Sequence, residues 1–398
     1  MAEVETQKLD NLLSAVRTLA PLIREHADEA ERNRRLSPPV VTALAEAGLF
    51  RMWIPRALGG LEVSPFTLYR IVEEVAQIDG STGWGVMIGA TTPAVRGYLS
   101  DKAAEEIFGR DPHVVTGGAL FPPGKAVVSN GGYIVSGRWP YASGCQHCAW
   151  LLAFCNAFEG DRMRLTDGGE PEVRAVFVPI SQVTILDTWE VSGLVGTGSH
   201  DFVMEQVFIP EEYSWQFGAG MTPQSKHFQG PLYRFPFPGL FPLATAPVGL
   251  GIAQGAVDVC LELAQAKRPV GSIELLRDRP LFQVRIAEAV AFVQSARAWL
   301  HTAVQQTWEA TVNGRPVAFA ERANLVLAAA NATRSAASAV DLAYTAAGGT
   351  ANYRRSPLQR ALRDIHAVTQ HLGTAPQQYE NAGRMLLGLQ PLLPMLLL

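Results

Sequence analysis

The run KAVVSNGGYIVSGRW, residues 125–139, decides the fold class of this chain. It is rich in β-branched and aromatic residues and is broken by Asn130, Gly131 and Gly132, a pattern typical of strands separated by a turn. Four more runs of this kind follow, with Gly, Asn, Asp or Pro between them, at 148–158, 172–180, 183–189 and 201–210. From about residue 112 the sequence therefore predicts a small domain of antiparallel strands.

Helical patterns lie on both sides of the predicted strands. Between residues 8 and 110, apolar residues keep helical spacing on one face, beginning with Leu9, Leu12, Leu13, Val16, Leu19 and Ile23. From about residue 240, long Ala- and Leu-rich stretches return the chain to helix. The predicted fold class is α+β, with an N-terminal α-helical domain at 1–111, a middle antiparallel β domain at 112–228 and a C-terminal α-helical bundle at 229–398.

Composition excludes several classes of protein. The chain has 398 residues, of which 18% are charged, and its formal net charge is −4. No block of like charges stands out, so we expect no nucleic acid as partner. The apolar stretches 240–257 and 385–398 are broken by prolines, which favours a buried helix and a subunit contact over membrane spans. No signal-peptide core is present at the N-terminus, and a cytoplasmic location is expected.

The four cysteines do not predict a metal site or a disulfide framework. Cys145 and Cys148 have C-x-x-C spacing, but a structural zinc needs four ligands, and Cys155 and Cys260 stand alone. So few cysteines in so long a chain fit a reducing compartment. The favoured interpretation of the pair is buried cysteines in a sheet.

The stretch SPLQRALRDIHAVTQHLGT, residues 356–374, predicts a well-marked helix. Ser356 can serve as N-cap, Gln359 completes an S-x-x-Q capping box, and Gly373 is placed to stop the helix. His371 then falls in the last turn, where the helix terminus favours a charged imidazole and burial favours a neutral one. On position alone, the expected role of this histidine is to cap the last carbonyl groups.

Four motifs, in order along nearly the whole chain, resemble the acyl-CoA dehydrogenase superfamily of flavoproteins. They are LAEAGLFRMWIPRALGGLEVS (44–64), GGYIVSGRWPYASG (131–144), SGLVGTGSHDFVMEQVFIP (192–210) and TAAGGTANYRRSPLQRALRD (345–364). The resemblance implies a helical domain, a β domain and a helical bundle, with a flavin held between the last two. It also implies a homotetramer.

The resemblance carries over to six residues as flavin contacts. For the phosphate or adenine end these are Arg268, Gly348 and Gly349, and for the ring they are Trp139, Tyr141 and Ser143, with the Ser143 hydroxyl near N5. Glycine lets backbone N–H groups approach an anion, and arginine pairs with phosphate. Each has a structural alternative: a helix-to-helix turn for the glycines, a turn residue at 143 and ordinary sheet packing for the two aromatic residues.

The glutamate that acyl-CoA dehydrogenases use as base is missing from both of its usual places. Counting from Arg363-Asp364 leads to Leu372, and no acid lies between Glu212 and Asp258. A dehydrogenase of the usual kind is therefore not expected. Two alternatives stay open: a dehydrogenase that uses Glu380 or another acid, and a non-catalytic subunit that only assembles with an active partner.

Beside the vacant position stands His371, and the motif RDIHAVTQH resembles the two-component (group D) flavin-dependent monooxygenases of the superfamily. This implies reduced flavin (FADH2 or FMNH2) from a separate NAD(P)H-dependent reductase, and molecular oxygen as co-substrate. An aromatic substrate, such as a phenol, an indole or a polyketide-type ring, would be hydroxylated through a C4a-hydroperoxyflavin. His371 would act as base, for which imidazole is suited, and Ser143 would protect N5. The chain has no G-x-G-x-x-G after a strand, which fits a separate reductase.

A substrate cavity is predicted at PLYRFPFPGLF, residues 231–241. Aromatic walls favour a flat apolar substrate, and the residues concerned are Tyr233, Phe235, Phe237 and Phe241. His147, near the strand predicted to contact the ring, is a weaker candidate for substrate or flavin contact. The alternative for 231–241 is a packed connector between domains.

Overall fold

The computed structural model describes residues 2–96, 98–218, 225–240 and 242–393. The N-terminal part is helical: α1 (Ala2–Asn33), α2 (Pro38–Glu46), α3 (Pro65–Ile78), α4 (Gly80–Thr91) and α5 (Asp101–Ala104). The C-terminal part is also helical: α6 (Phe237–Leu240), α7 (Ala246–Ala266), α8 (Pro280–Val312), α9 (Phe319–Ala347), α10 (Pro357–Val368) and α11 (Gln377–Leu386). A sheet lies between them along the chain, so the α+β prediction is confirmed.

The sheet is mixed rather than purely antiparallel. Its strands are β1 (Thr116–Ser129), β2 (Gly132–Trp139), β3 (Trp150–Glu159), β4 (Arg162–Met163), β5 (Val173–Pro179), β6 (Thr184–Leu186), β7 (Asp201–Pro210) and β8 (Ser214–Phe217). Their order is β6-β7-β2-β1-β3-β5-β8, with β4 paired to β3. β2 returns antiparallel beside β1, and the chain then crosses to the other edge of β1. β3 consequently runs parallel to β1, and for this pair the prediction of antiparallel strands is wrong.

α4 is buried on every side and positions the candidate site. All of its residues from Gly80 to Thr91 are buried, and it packs against α3, α7 and the short turn Val195–Thr197. Asp79 caps its N-terminus by accepting a hydrogen bond from the N–H of Thr82 at 2.8 Å. Side chains that α4 projects therefore meet protein in all directions.

The apolar stretch at the start of the C-terminal part is a core helix. Within the described residues, one helical stretch, Leu243–Ala266, is long and apolar enough to cross a membrane by length and composition alone. In its apolar 18-residue segment, 78% is buried inside the fold. It packs against α3 and α9, which agrees with the buried helix predicted at 240–257. In the tail 385–398, Leu386 and Leu387 are exposed, and residues 394–398 lie outside the described part.

α10 ends earlier than the sequence predicted. Its last residue is Val368, and the side chain of Ser356 makes no capping hydrogen bond. Gln359 instead accepts a hydrogen bond from the Arg363 guanidinium at 2.9 Å, so the predicted capping box does not form. His371 lies in the turn that follows the helix.

Candidate active site

Trp84, in the middle of α4, contacts the two residues that the sequence analysis named as catalytic. Its indole N–H donates to Ser143 Oγ at 2.9 Å. Its ring meets the imidazole of His371 edge-on, with 5.3 Å between the ring centroids. Trp84 is 7% exposed and Ser143 is 4% exposed. One buried tryptophan thus joins two residues that lie far apart in the sequence.

Ser143 belongs to a buried chain of hydroxyl groups. Its Oγ lies 2.7 Å from Ser199 Oγ, and Ser199 Oγ lies 2.7 Å from Thr197 Oγ1. Thr197 Oγ1 donates to the carbonyl oxygen of Leu194 at 2.7 Å. All four residues are buried. We call the three hydroxyl groups of Ser143, Ser199 and Thr197 the hydroxyl chain. Thr197 and Ser199 lie in the motif at 192–210, but they were not predicted as site residues.

Contacts between two loops hold Ser143 in place. The N–H of Ala142 donates to the His200 carbonyl at 3.0 Å, and the N–H of Gly144 donates to the Thr197 carbonyl at 2.9 Å. Gly144 has a φ of +71°, and a Cβ there would lie 2.8 Å from His147 Nε2. The turn that follows Ser143 therefore requires glycine.

Burial decides the charge of His371. It lowers the pKa of the imidazole to about 4, so the ring is neutral at pH 7. The backbone N–H of Gly373 donates to Nδ1 at 3.1 Å. Because Nδ1 is the acceptor, the neutral ring carries its hydrogen on Nε2. Nδ1 is thus engaged as an acceptor in the turn after α10, and the predicted donor role, a cap on the last carbonyl groups, does not fit it.

Asp364 was not predicted as a site residue, yet it is tied to the hydroxyl chain. Its Oδ1 accepts a hydrogen bond from the N–H of Leu194 at 2.6 Å. Burial and the negative charge of Asp79 raise the pKa of Asp364 to about 7. A cavity of about 870 Å³ opens beside it between α1, α3, α7 and α10, but neither Ser143 nor His371 lines that cavity. The cavity is therefore separate from the cluster around Trp84.

The predicted phosphate or adenine contacts lie where α7 and α9 end. Gly348, Gly349 and Arg268 are exposed, and Lys267 donates to Thr350 Oγ1 at 2.6 Å, which ties the two segments together. Gly348 has a φ of +59°, and nothing lies within 4 Å of a Cβ placed on Gly349. Because protein packing does not demand glycine at 349, the open backbone there fits an anionic ligand such as a flavin phosphate.

Tyr141 and Trp139 have opposite environments. Tyr141 is 70% exposed, an open aromatic surface close to Ser143 that fits contact with a flavin ring. Trp139 has no exposed surface, donates its indole N–H to the Phe154 carbonyl at 2.9 Å and stacks on Phe202 with 5.1 Å between centroids. Trp139 therefore packs inside the sheet, and no surface of it is open to a flavin in this geometry.

Three of the four aromatic residues predicted to line one substrate cavity, Tyr233, Phe235 and Phe237, are buried and pack in separate places. Their neighbours differ: Tyr233 donates to the Trp53 carbonyl at 3.3 Å, the Phe235 ring lies 6.3 Å from Trp308, and the Phe237 ring lies 5.3 Å from Phe217. Phe241 lies outside the described residues. For the three described residues, the geometry agrees with the alternative of a packed connector.

The remaining candidates take minor places. Burial lowers the pKa of His147 to about 4, and its ring lies 6.3 Å from Phe50, beside the turn that holds Ser143. Glu380 is exposed on α11. In the part of the chain that the structure describes, no three His, Cys, Asp or Glu side chains are grouped to hold a metal. All four cysteines are buried, and none forms a disulfide.

Comparisons with known proteins show the family to which the chain is related. The family models for the acyl-CoA dehydrogenase N-terminal and C-terminal domains match residues 6–107 and 243–376. The indole-3-acetate monooxygenase of Pseudomonas putida is 35% identical over 96% of this chain and 93% of that protein. The oxygenase subunit HsaA of a flavin-dependent monooxygenase from Mycobacterium tuberculosis is 30% identical over 98% of this chain and 99% of that protein.

A solved structure shows the same fold. The crystal structure of 3-HSA hydroxylase from Rhodococcus sp. RHA1 matches with a TM-score of 0.88 and 30% sequence identity, covering 97% of this chain and 99% of that one. The match covers the helical parts and the sheet together. The segments that carry Trp84, Ser143 and His371 therefore lie within a shared architecture.

Proposed function

The chain belongs to the two-component flavin-dependent monooxygenases of the acyl-CoA dehydrogenase superfamily, and from this premise we propose how its residues act. It is an oxygenase component that hydroxylates an aromatic substrate, with reduced flavin from a separate reductase and molecular oxygen as co-substrate. Bound reduced flavin supplies the electrons that activate oxygen. The observation that carries the residue assignments is the contact of both Ser143 and His371 with Trp84.

Ser143 is proposed to face N5 of the flavin ring. A hydroxyl group is too weak a base to remove a proton from N5, but it can hold that proton by a hydrogen bond. Ser143, Trp84, Thr197 and Ser199 are buried, so water is excluded on the protein side of this position. Tyr141 and the backbone at Gly348 and Gly349 are proposed to hold the ring and the phosphate end, with Arg268 nearby.

His371 is proposed to accept the proton of the substrate O–H or N–H. Its lowered pKa keeps it in the neutral form that a base requires. Since Gly373 N–H occupies Nδ1, proton acceptance at Nε2 requires that the ring hydrogen move to Nδ1 and that this hydrogen bond break. Losing one hydrogen bond costs about 1 kcal/mol, which is small beside the typical gain from general base catalysis.

A homotetramer is the proposed assembly, and the cytoplasm the proposed location. α8 exposes large apolar residues on one face, at Leu281, Val284, Phe292 and Trp299. An apolar face of this kind on a helix is a sign of a protein contact. Light scattering on the protein as it elutes from a size-exclusion column measures its molar mass and tests the assembly. The molar mass of a single chain would contradict the homotetramer.

Isotope labelling tests the function. The purified chain is mixed with a separate NADH-driven flavin reductase, FAD or FMN, ¹⁸O₂ and a panel of phenols and indoles, and products are read by mass spectrometry. We expect one ¹⁸O atom in a hydroxylated product. The dehydrogenase alternative predicts instead that an acyl-CoA bleaches the oxidised flavin without oxygen, and the non-catalytic alternative predicts no product under either condition.

A further inference from the structure

The hydroxyl chain has a fixed direction, because each hydroxyl group has one hydrogen to donate. A carbonyl oxygen can only accept, so the contact of Thr197 with Leu194 uses the hydrogen of Thr197. In the contact at 2.7 Å between Thr197 and Ser199, the donor must then be Ser199. By the same count, Ser143 donates to Ser199 across 2.7 Å. The order of donation is therefore Trp84, Ser143, Ser199, Thr197, Leu194.

The last acceptor in the chain is firmly held. The N–H of Leu194 donates to Asp364 at 2.6 Å, and its carbonyl also accepts from the indole N–H of Trp189 at 3.2 Å. Leu194 itself has a φ of +52°, which is rare for a non-glycine residue and indicates that its surroundings fix the peptide. The direction of donation in the hydroxyl chain is thus fixed by the backbone of Leu194, at the end far from Ser143.

Because Ser143 uses its one hydrogen on Ser199, it can only accept a hydrogen bond from a ligand. Its hydrogen points to Ser199, one lone pair accepts the indole N–H of Trp84, and no donor among the described residues is assigned to the other lone pair. Reduced flavin carries a hydrogen on N5, whereas N5 of oxidised flavin has a lone pair and no hydrogen. An open acceptor therefore pairs with reduced flavin and opposes the lone pair of oxidised flavin.

We propose that Ser199 and Thr197 are positioning residues that hold the Ser143 hydroxyl as an acceptor and thereby make the site favour reduced over oxidised flavin. The inference rests on the proposed placement of Ser143 at N5. In oxidised flavin the lone pair of N5 would face the lone pair of Ser143. Compared with a site that donates a hydrogen bond to N5, this arrangement should weaken the binding of oxidised flavin by roughly a factor of ten. This preference would let the protein bind reduced flavin in the presence of oxidised flavin.

The test is the ratio of the dissociation constants for oxidised and reduced FAD, measured by anaerobic equilibrium titration rather than by turnover. Ser199→Ala frees the hydrogen of Ser143 to donate to oxidised N5. Thr197→Val removes the acceptor of Ser199, so Ser199 can donate to Ser143 instead. The hydrogen of Ser143 is then again free to donate to oxidised N5. We expect both variants to lower the ratio by roughly tenfold, mainly through tighter binding of oxidised FAD.

Controls separate this inference from the proposed function. Thr197→Ser keeps the hydroxyl group and should keep the wild-type ratio. Ser143→Ala should also lower the ratio; if it does not, the placement of Ser143 at N5 is wrong. If Ser143→Ala lowers the ratio but Ser199→Ala and Thr197→Val keep it, or weaken both flavin forms equally, the positioning role is wrong while the proposed function stands.

Discussion

The indole of Trp84 meets the imidazole of His371 edge-on at 5.3 Å, while its N–H donates to Ser143. Trp84→Phe removes the indole N–H together with part of the ring system and leaves Ser143 without its donor, and we expect the lost hydrogen bond alone to lower the free energy of unfolding by about 1–3 kcal/mol. Trp84→Ala also removes the ring from the core and should cost about 3–5 kcal/mol. Denaturant titration measures both. Trp215→Phe is the matched control, because this tryptophan is also buried but its indole N–H meets no acceptor among the described residues, so the variant should lack the part of the loss that comes from the hydrogen bond.

Asp364 should make stability fall as the pH rises. Its folded-state pKa, about 7, lies above the usual value near 3.9, so between these values the folded state holds a proton that the unfolded state has lost. Stability from this group is complete at low pH and is lost as the pH rises through 7. Asp364→Asn keeps the acceptor for Leu194 and removes the titration.

The melting temperature of Asp364→Asn relative to wild type should therefore increase from pH 5 to pH 8, as followed by calorimetry. Asp10→Asn, at an exposed position of α1, serves as the control for the loss of one carboxyl group elsewhere on the protein. A difference between Asp364→Asn and wild type that stays constant over this range would show that the carboxyl group is already ionised when folded.

Gly349 separates flavin contact from packing. Nothing lies within 4 Å of a Cβ placed there, so Gly349→Ala should leave the free energy of unfolding within about 0.5 kcal/mol of wild type. If the backbone at 349 holds a flavin phosphate, the added methyl group should weaken binding of reduced FAD. Gly348→Ala, at a φ of +59°, should instead lose stability. Unchanged FAD affinity in Gly349→Ala would rule out the contact.

The pH profile of hydroxylation should carry no titration from His371 in the neutral range. With its pKa lowered to about 4 by burial, the imidazole is already neutral from about pH 6 to pH 8. Single-turnover hydroxylation, with a substrate whose own proton does not titrate there, should be flat over this range. A rise in rate with a midpoint near 6.5 that disappears in His371→Gln would contradict the neutral state of the imidazole.

The sequence predicted the order of helical and β parts because apolar spacing and β-branched runs are local signals. It did not predict that β3 pairs parallel to β1, since strand order depends on how the chain crosses the sheet. The helix at 356–374 was predicted too long at its C-terminal end. After Val368 the backbone N–H groups of Gln370 and His371 donate to the carbonyl groups three residues back, at Ala367 and Val368, so the chain turns before Gly373.

Part of the site was within reach of sequence and part was not. Ser143 and His371 came from motif resemblance, and the structure brings both to Trp84. Trp84, Ser199 and Asp364 act through contacts with distant segments, which no local pattern reveals. The lone tryptophan among small residues in GSTGWGVMIGA, 80–90, was a signal for a special position. The charge of His371 also needed the structure, since helix terminus and burial oppose each other.

The central claim is that His371 serves oxygen transfer to an aromatic ring, and rapid mixing tests it most directly. The chain loaded with reduced FAD is mixed with oxygenated buffer, with and without a phenol or indole substrate, and absorbance is followed until the flavin is reoxidised. We expect a transient absorbance signal that forms only with oxygen and persists without substrate. Substrate should remove this signal quickly in wild type and at least tenfold more slowly in His371→Ala. Equal rates of consumption in the two proteins would contradict the account.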